Sequence, residues 1–93
     1  MSDGLSKLEE NLLLLLEKQE MYGAQLINSY AEAGKSLGPG SLYPTMDRLE
    51  NQGFVTSQWG DESKGARRKY YQITQQGHEA LKEEREFRAR LGS

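Results

Sequence analysis

The chain has 93 residues, no cysteine and a net charge of −2, with 28% charged and 35% hydrophobic residues. This length allows one small domain, and the missing thiols exclude disulfides and thiolate metal sites, so a reducing cytoplasm is the expected compartment. The longest apolar run, residues 12–16, is too short to cross a bilayer. Such a small domain buries only about 60 to 65% of its unfolded surface, so we expect it to need a partner chain.

The charge is distributed unevenly along the chain. Residues 1–34 carry two basic and six acidic side chains, residues 35–71 carry six and four, and residues 72–93 carry four of each. The positive excess therefore lies in the middle third. A sequence pI near 5.4 argues against a protein that coats nucleic acid indiscriminately. Any contact with DNA must come from a small basic patch.

A first helix is predicted over about residues 5–18. Ser6 and Glu9 form a capping-box pattern, and the stretch that follows consists almost entirely of strong helix formers. Its leucines lie around much of the helix circumference instead of on one stripe, and one small domain has difficulty covering all of them. We therefore expect this helix at a dimer interface. The leucines expected there are Leu8, Leu12, Leu13, Leu14 and Leu16.

Two further helices are predicted in the next thirty or so positions. The second helix is expected to end at Gly34, a candidate left-handed cap. Pro44 lacks an amide hydrogen and fits only in a first turn, so the third helix is expected to begin near Gly40 or Ser41. Gly53 is expected to end it. The inward stripe predicted on this helix is Leu42, Met46 and Leu49, and the outward face is Ser41, Pro44, Thr45, Arg48 and Gln52.

A β-hairpin is predicted after the third helix. Residues 54–59 and 67–73 are rich in β-branched and aromatic side chains and flank a polar loop. Alternation along the second strand sends one of Tyr70 and Tyr71 inward. Trp59, at the end of the first strand, is interpreted as hairpin packing.

Thr74 is a candidate N-cap for a last helix over about residues 75–91. Phe87 is the single aromatic residue of that helix and is expected at the dimer interface. Helix, helix, helix, hairpin, helix is the layout of a winged helix-turn-helix. The sequence therefore predicts one α+β domain, mainly α, over residues 1–93. It has three helices, a two-stranded wing and a C-terminal dimerisation helix.

The basic residues beside the hairpin loop favour contact with DNA. In this layout the second helix of the pair enters the major groove, and basic residues at the base of the wing reach the neighbouring phosphates. Arg48 lies on the predicted outward face of the helix that enters the groove. The basic residues expected at the DNA are Arg48, Lys64, Arg67, Arg68 and Lys69.

Other interpretations stay open at this point. The wing residues can form a solvated edge strand whose charges discourage aggregation, and the domain can be a protein-interaction module that uses its acidic N-terminal third. Tyr43 and Tyr70 can each donate a hydroxyl to a phosphate or pack as core. An enzyme is not indicated, because no glycine-rich phosphate loop follows a strand and no nucleophile has a histidine partner. His78 has no cysteine or second histidine with which to hold a metal, and no cofactor is expected.

Three segments together resemble the PadR family of bacterial transcriptional regulators. They are "YG" at residues 22–23, "GSLYPTMDRLENQGFV" at residues 40–55 and "RRKYYQITQQG" at residues 67–77. The resemblance covers about residues 21–81 and implies a dimeric winged-helix repressor that binds a palindromic operator in double-stranded DNA. The family positions that lie at the DNA match Ser41, Tyr43, Pro44, Arg48, Lys64, Arg67 and Arg68.

The resemblance also implies regulation by a ligand. Many members of the family lose DNA affinity when a small aromatic or drug-like effector binds, and their first and last helices exchange contacts between subunits. This sequence departs from the family pattern by ending at Ser93, where members continue into a longer helix or a helical domain. With Phe87 as the single aromatic residue of the last helix, an effector either binds elsewhere on the domain or has no site.

Overall fold

The structure, a computed structural model, describes residues 4–60 and 67–92. Within these residues the chain forms four helices and three strands. Their bounds are α1 Lys7–Lys18, β1 Met21–Tyr22, α2 Gly23–Glu32, α3 Pro39–Asn51, β2 Val55–Trp59, β3 Lys69–Ile73 and α4 Gln75–Gly92. The strands pair into one antiparallel sheet in the order β1-β3-β2. This arrangement confirms the predicted fold class, α+β and mainly α.

The capping box predicted for α1 is present. The Ser6 hydroxyl accepts a hydrogen bond from the Glu9 amide at 3.1 Å, and the Glu9 carboxylate accepts one from the Ser6 amide at 2.8 Å. These bonds satisfy two amides that the first turn of a helix leaves unpaired. The helix accordingly begins at Lys7, two residues after the predicted start.

The leucines of α1 are buried more completely than the sequence indicated. Leu12 and Leu13 are 0% exposed and Leu16 is 3% exposed, because α1 packs against α2, α3, β3 and α4 of the same chain. The expectation that these three lie at a dimer interface is therefore wrong, since they have almost no surface to offer. Leu8 and Leu14 keep part of their surface accessible, and Phe87 is half exposed.

Strand β1 was not predicted. Its two residues pair with β3 through Met21 opposite Tyr71 and Tyr22 opposite Tyr70. A pair of residues is too short to show the alternation by which a strand is recognised. The strand extends the two-stranded wing to three strands and brings the rings of Tyr22 and Tyr70 edge to face, with centroids 5.3 Å apart.

Gly34, after α2, has a φ of 96° and is the left-handed cap that the sequence predicted.

Helix α3 begins at Pro39, slightly before the predicted start at Gly40 or Ser41. Pro44 consequently lies inside the helix and not in its first turn. Its ring removes the amide that would bond the Gly40 carbonyl. Both residues are exposed, so water can satisfy that carbonyl.

The faces of α3 agree with the prediction except at one position. Leu42, Met46 and Leu49 are all 0% exposed, which confirms the inward stripe. Thr45 was predicted on the outward face but is buried. Its hydroxyl donates to the Ser41 carbonyl at 2.8 Å, and this local hydrogen bond offsets the free-energy cost of burying the hydroxyl.

Strands β2 and β3 form the predicted hairpin and lead directly into α4. Tyr71 is buried and Tyr70 is only partly so, which confirms the predicted alternation. The Thr74 hydroxyl accepts from the Gly77 amide at 3.0 Å and donates to the Gly53 carbonyl at 2.6 Å, so Thr74 is the N-cap of α4 and also fixes the end of α3. A Cβ on Gly77 would collide with the carbonyl oxygen of Phe54.

Candidate nucleic-acid interface

The residues predicted to contact DNA lie on two flanks of α3. Tyr43 and Asp47, one helical turn apart, face the wing and line an open groove of about 540 Å³. Ser41 and Arg48 share the opposite flank, where Arg48 approaches Glu9 near the N-terminal end of α1. Pro44 is exposed between the two flanks. Lys64 lies outside the described residues.

The groove between α3 and the wing holds two arginines over aromatic rings. The guanidinium carbon of Arg67 lies 4.8 Å from the centre of the Trp59 ring, and that of Arg68 lies 4.7 Å from the centre of the Tyr22 ring. A cation over the face of an exposed ring gains about 0.5 to 1 kcal/mol. The rings therefore restrict where the two guanidinium groups lie while leaving both side chains exposed.

Trp59 packs within the hairpin, in contact with basic residues of the wing. It pairs with Lys69 across the two strands, is 54% exposed and lies under Arg67. Lys69 approaches the same ring, with its ammonium 5.9 Å from the ring centre. An aromatic residue at the end of one predicted strand, across the hairpin loop from a basic run, is the signal that could have indicated this arrangement.

Lys69 differs from the two arginines because an acidic residue already pairs with it. Its ammonium lies 3.9 Å from a carboxylate oxygen of Glu50 on α3, and both side chains are about one third exposed. The other oxygen of Glu50 accepts a hydrogen bond from the Ser57 hydroxyl at 2.6 Å. Glu50 thus connects α3 to both strands of the hairpin, and a phosphate would have to compete with it for Lys69.

The contact between Tyr43 and Gly23 accounts for the "YG" segment. Gly23 is buried at the first position of α2, and a Cβ there would collide with the hydroxyl of Tyr43. The Tyr43 ring remains 42% exposed. The glycine therefore permits a close approach of α2 and α3 in which a tyrosine of α3 stays at the edge of the groove.

On the far flank, Arg48 is held by two residues of its own chain. Its Nη2 donates to the Thr45 hydroxyl at 3.3 Å, and its Nε lies 3.7 Å from Oε2 of Glu9. The Arg48 side chain is 59% exposed, whereas that of Glu9 is only 10% exposed. Sequence reasoning assigned Glu9 to helix capping alone, because no local pattern shows a contact between α1 and α3.

A second group of charges joins α1 to α4, away from both flanks. His78 Nδ1 lies 3.1 Å from Oε2 of Glu17, and Arg85 Nη2 lies 3.1 Å from Oε1 of the same carboxylate. Burial raises the pKa of Glu17, but the hydrogen bonds from His78 and Arg85 outweigh it and hold that pKa below its ordinary value. Arg88 pairs in the same way with the buried carboxylate of Glu10.

Metal-ligand clusters and membrane-spanning helices are both missing from the part of the chain that the structure describes. In residues 4–60 and 67–92 no three side chains of His, Cys, Asp or Glu cluster in a way that could hold a metal ion. No helix in the same ranges combines the length and apolar character that a membrane span requires. Burial raises the pKa of Tyr71 from its ordinary value of 10 to about 12, so the hydroxyl resists ionisation even at alkaline pH.

Comparison with known proteins places the chain in a family. The transcriptional regulator PadR-like family matches residues 12–83. The transcriptional regulator Rv3488 of Mycobacterium tuberculosis is 38% identical over 66 residues, which cover 71% of this chain and 61% of that protein. This chain therefore spans about six-tenths of the length of that relative.

Solved structures with the same fold carry related names. A PadR-like transcription factor from Bacteroides fragilis superposes with a TM-score of 0.86 at 33% identity, over 90% of this chain and 82% of that one. A PadR family transcription regulator from Clostridium difficile superposes with a TM-score of 0.79 at 28% identity, over 89% and 88% of the two chains. The predicted winged-helix fold and the predicted family are both confirmed. The chain belongs to the PadR-like family of transcriptional regulators, whose members regulate transcription and are not enzymes.

Proposed function

We propose that this chain is a dimeric repressor that binds a specific double-stranded operator in the bacterial cytoplasm. The observation that carries the proposal is the pair of exposed arginines, Arg67 and Arg68, held on aromatic rings beside the exposed face of α3. Two cations placed next to a helix that can enter the major groove suit the phosphates on either side of that groove. The opposing interpretation, a wing that only protects a strand edge, requires charges at that edge but does not require two guanidinium groups on aromatic rings beside the groove.

Helix α3 has the features expected of the helix in the major groove. No acidic residue lies in its first turn, and Gly38 and Gly40 at that end have no side-chain neighbours within 4 Å of a Cβ position. A phosphate can therefore approach the positive end of the helix without steric or charge repulsion. Farther along, Asp47 faces the groove, where a carboxylate can accept a hydrogen bond from the amino group of cytosine.

The proposed DNA-binding set divides by expected role. Arg67 and Arg68 contact phosphates, and Arg48 reads a base edge from the other flank of α3. Lys69 contributes less than the arginines, because Glu50 already neutralises part of its charge. Ser41, Tyr43 and Pro44 are exposed on α3 at positions from which they can reach the DNA backbone.

The dimer is proposed from the apolar surface that one chain leaves uncovered. Phe87 is 50% exposed and Leu91 is 70% exposed on α4, and Leu8 and Leu14 of α1 are only partly buried. A second copy packed on α1 and α4 would cover these side chains. A symmetric dimer presents two copies of α3, which matches a palindromic operator.

A small aromatic effector is proposed to bind the cleft between α1 and α2. The cleft has a volume of about 360 Å³, and Leu14, Leu15 and Ala33 form apolar parts of its lining. At the same cleft Asn11 donates a hydrogen bond to the Tyr30 hydroxyl at 2.9 Å, which provides a polar group for orientation. Adding small aromatic compounds is expected to shift the amide resonances of Asn11 and Ala33. Unperturbed resonances would contradict this site.

Binding to duplex DNA at several salt concentrations tests the proposed function. A protein that neutralises phosphates releases counterions, so the logarithm of its affinity falls linearly with the logarithm of the salt concentration. The repressor interpretation predicts such a slope together with a preference for one sequence over random duplex. The protein-interaction alternative predicts no affinity for DNA at low salt.

A further inference from the structure

Glu9 is a nearly buried carboxylate that contacts two different parts of the chain. Its Oε1 accepts a hydrogen bond from the Ser6 amide at 2.8 Å, and its Oε2 lies 3.7 Å from Nε of Arg48. The hydrogen bond from Ser6 therefore orients the carboxylate of Glu9 independently of Arg48. Helix capping requires one of the two oxygens, and the second is directed at an arginine of α3.

The contacts of Arg48 involve Nε and Nη2 of its guanidinium group. Nε faces Glu9, and one hydrogen of Nη2 is donated to Thr45. The edge formed by Nη1 and the second hydrogen of Nη2 has no hydrogen-bond or ion-pair partner within residues 4–60 and 67–92. Two parallel donors of this kind match the O6 and N7 acceptors of guanine in the major groove.

We propose that Glu9 is a positioning residue for sequence recognition, which holds Arg48 so that this edge meets a guanine. The inference rests on the proposed DNA binding. The guanidinium group of Arg68 lies on the neutral ring of Tyr22, whereas the charge of Arg48 is balanced by the neighbouring carboxylate of Glu9. Glu9 therefore lowers the attraction of Arg48 for phosphate and leaves its directional hydrogen bonds, so it acts on sequence preference more than on total affinity.

The test compares duplexes that differ by one base pair. A duplex selected from a randomised pool by the wild-type protein is the probe, and each of its guanines is replaced in turn. Glu9→Gln removes the charge but keeps the oxygen that accepts from Ser6, since a glutamine also completes a capping box. Ser6→Ala is the matched control, because it weakens the cap and leaves the carboxylate in place. Melting temperatures report folding.

Glu9→Gln is expected to reduce the discrimination at one guanine position by roughly fivefold or more, the lower end of what a bidentate contact provides. Affinity for random duplex is expected to stay the same or rise. Ser6→Ala is expected to keep the discrimination. In an Arg48→Ala background, which lacks discrimination at the same position, Glu9→Gln is expected to have no further effect. Should Glu9→Gln fail to fold, Thr45→Val removes the other contact of Arg48 and is expected to weaken discrimination at that position.

Three results would overturn the inference. Glu9→Gln could retain full discrimination while Arg48→Ala loses it, or Arg48→Ala could itself retain it. Glu9→Gln could also act equally in the Arg48→Ala background, which would show an effect through the fold. Each of these leaves the proposed DNA binding intact. A wild-type protein that selects no sequence from the pool would instead refute the proposed function, and the inference with it.

Discussion

The hydroxyl of Tyr43 occupies the space that a side chain on Gly23 would need. Gly23→Ala is therefore expected to push the Tyr43 ring outward or to separate α2 from α3, at a cost of about 1 to 3 kcal/mol in the free energy of unfolding. In a Tyr43→Ala background the clash is absent. The same Gly23→Ala change is then expected to be neutral or to stabilise by about 0.4 to 1 kcal/mol, because alanine restricts the unfolded chain.

Urea denaturation of the wild type, Gly23→Ala, Tyr43→Ala and the double variant measures this coupling. The two changes are expected to be strongly non-additive, since the residues are in direct contact. Equal costs of Gly23→Ala in both backgrounds would show that the glycine is required for another reason. Gly53→Ala is a useful control. Gly53 has a φ of 83°, so its substitution strains the backbone and is expected to cost the same with and without Tyr43.

Local patterns in the sequence were sufficient for much of the fold. The capping box at Ser6, the N-cap at Thr74 and the left-handed Gly34 each depend on a few neighbouring residues, and the structure contains all three. The face of Thr45 could not be predicted in this way. Threonine can satisfy its hydroxyl within its own helix, so its polarity does not decide whether it is buried.

Contacts between distant segments account for what the sequence did not predict. Strand β1 exists because β3 pairs with it, and its two residues show no pattern of their own. The contact of Glu9 with Arg48 joins α1 to α3 and has no local signature. The burial of Leu13 likewise depends on how α2, α3, β3 and α4 surround α1, which helical periodicity alone does not specify.

The wing arginines are predicted to dominate the salt dependence of DNA binding. Each phosphate contact contributes about 0.9 to the slope of log affinity against log salt, and a dimer presents each side chain twice. Arg67→Ala or Arg68→Ala is therefore expected to reduce the slope by roughly two units, and equally so on specific and random duplex. Fluorescence anisotropy at several salt concentrations measures the slope. Lys69→Ala is expected to have a smaller effect because Glu50 pairs with Lys69.

The matched control for the wing is Lys82→Ala, which removes an exposed cation from α4 and changes the net charge by the same amount. Its slope is expected to equal that of the wild type. If all these variants lost slope by similar amounts, the effect would come from net charge and the wing would have no special role. Unchanged slopes in folded Arg67→Ala and Arg68→Ala would favour a wing that only protects a strand edge.

Substitutions on α1 and α4 are predicted to separate dimerisation from folding. Leu14 and Phe87 keep accessible surface, so Leu14→Glu or Phe87→Glu is expected to produce folded monomers at micromolar concentration. Leu13 is fully buried, and Leu13→Ala is expected to lower the free energy of unfolding by about 2 to 5 kcal/mol. Analytical ultracentrifugation gives the mass, and urea denaturation gives the stability. A wild-type protein that sediments as a monomer would argue against the dimer.

The contacts of Glu17 with His78 and Arg85 are predicted to make the packing of α4 on α1 sensitive to acid. His78 and Arg85 hold the pKa of Glu17 below its ordinary value of 4.5, so the folded protein binds a proton at Glu17 less readily than the unfolded chain does. The resulting stability is fully present above about pH 4.5 and is lost as the pH falls through the lower pKa of the folded state. Glu17→Gln is therefore expected to lower the melting temperature at neutral pH and to make little difference in strong acid.

Glu83→Gln, at an exposed position of α4, is the control and is expected to follow the wild-type pH profile. A constant difference between Glu17→Gln and wild type at every pH would mean that the glutamate contributes through packing and not through its charge.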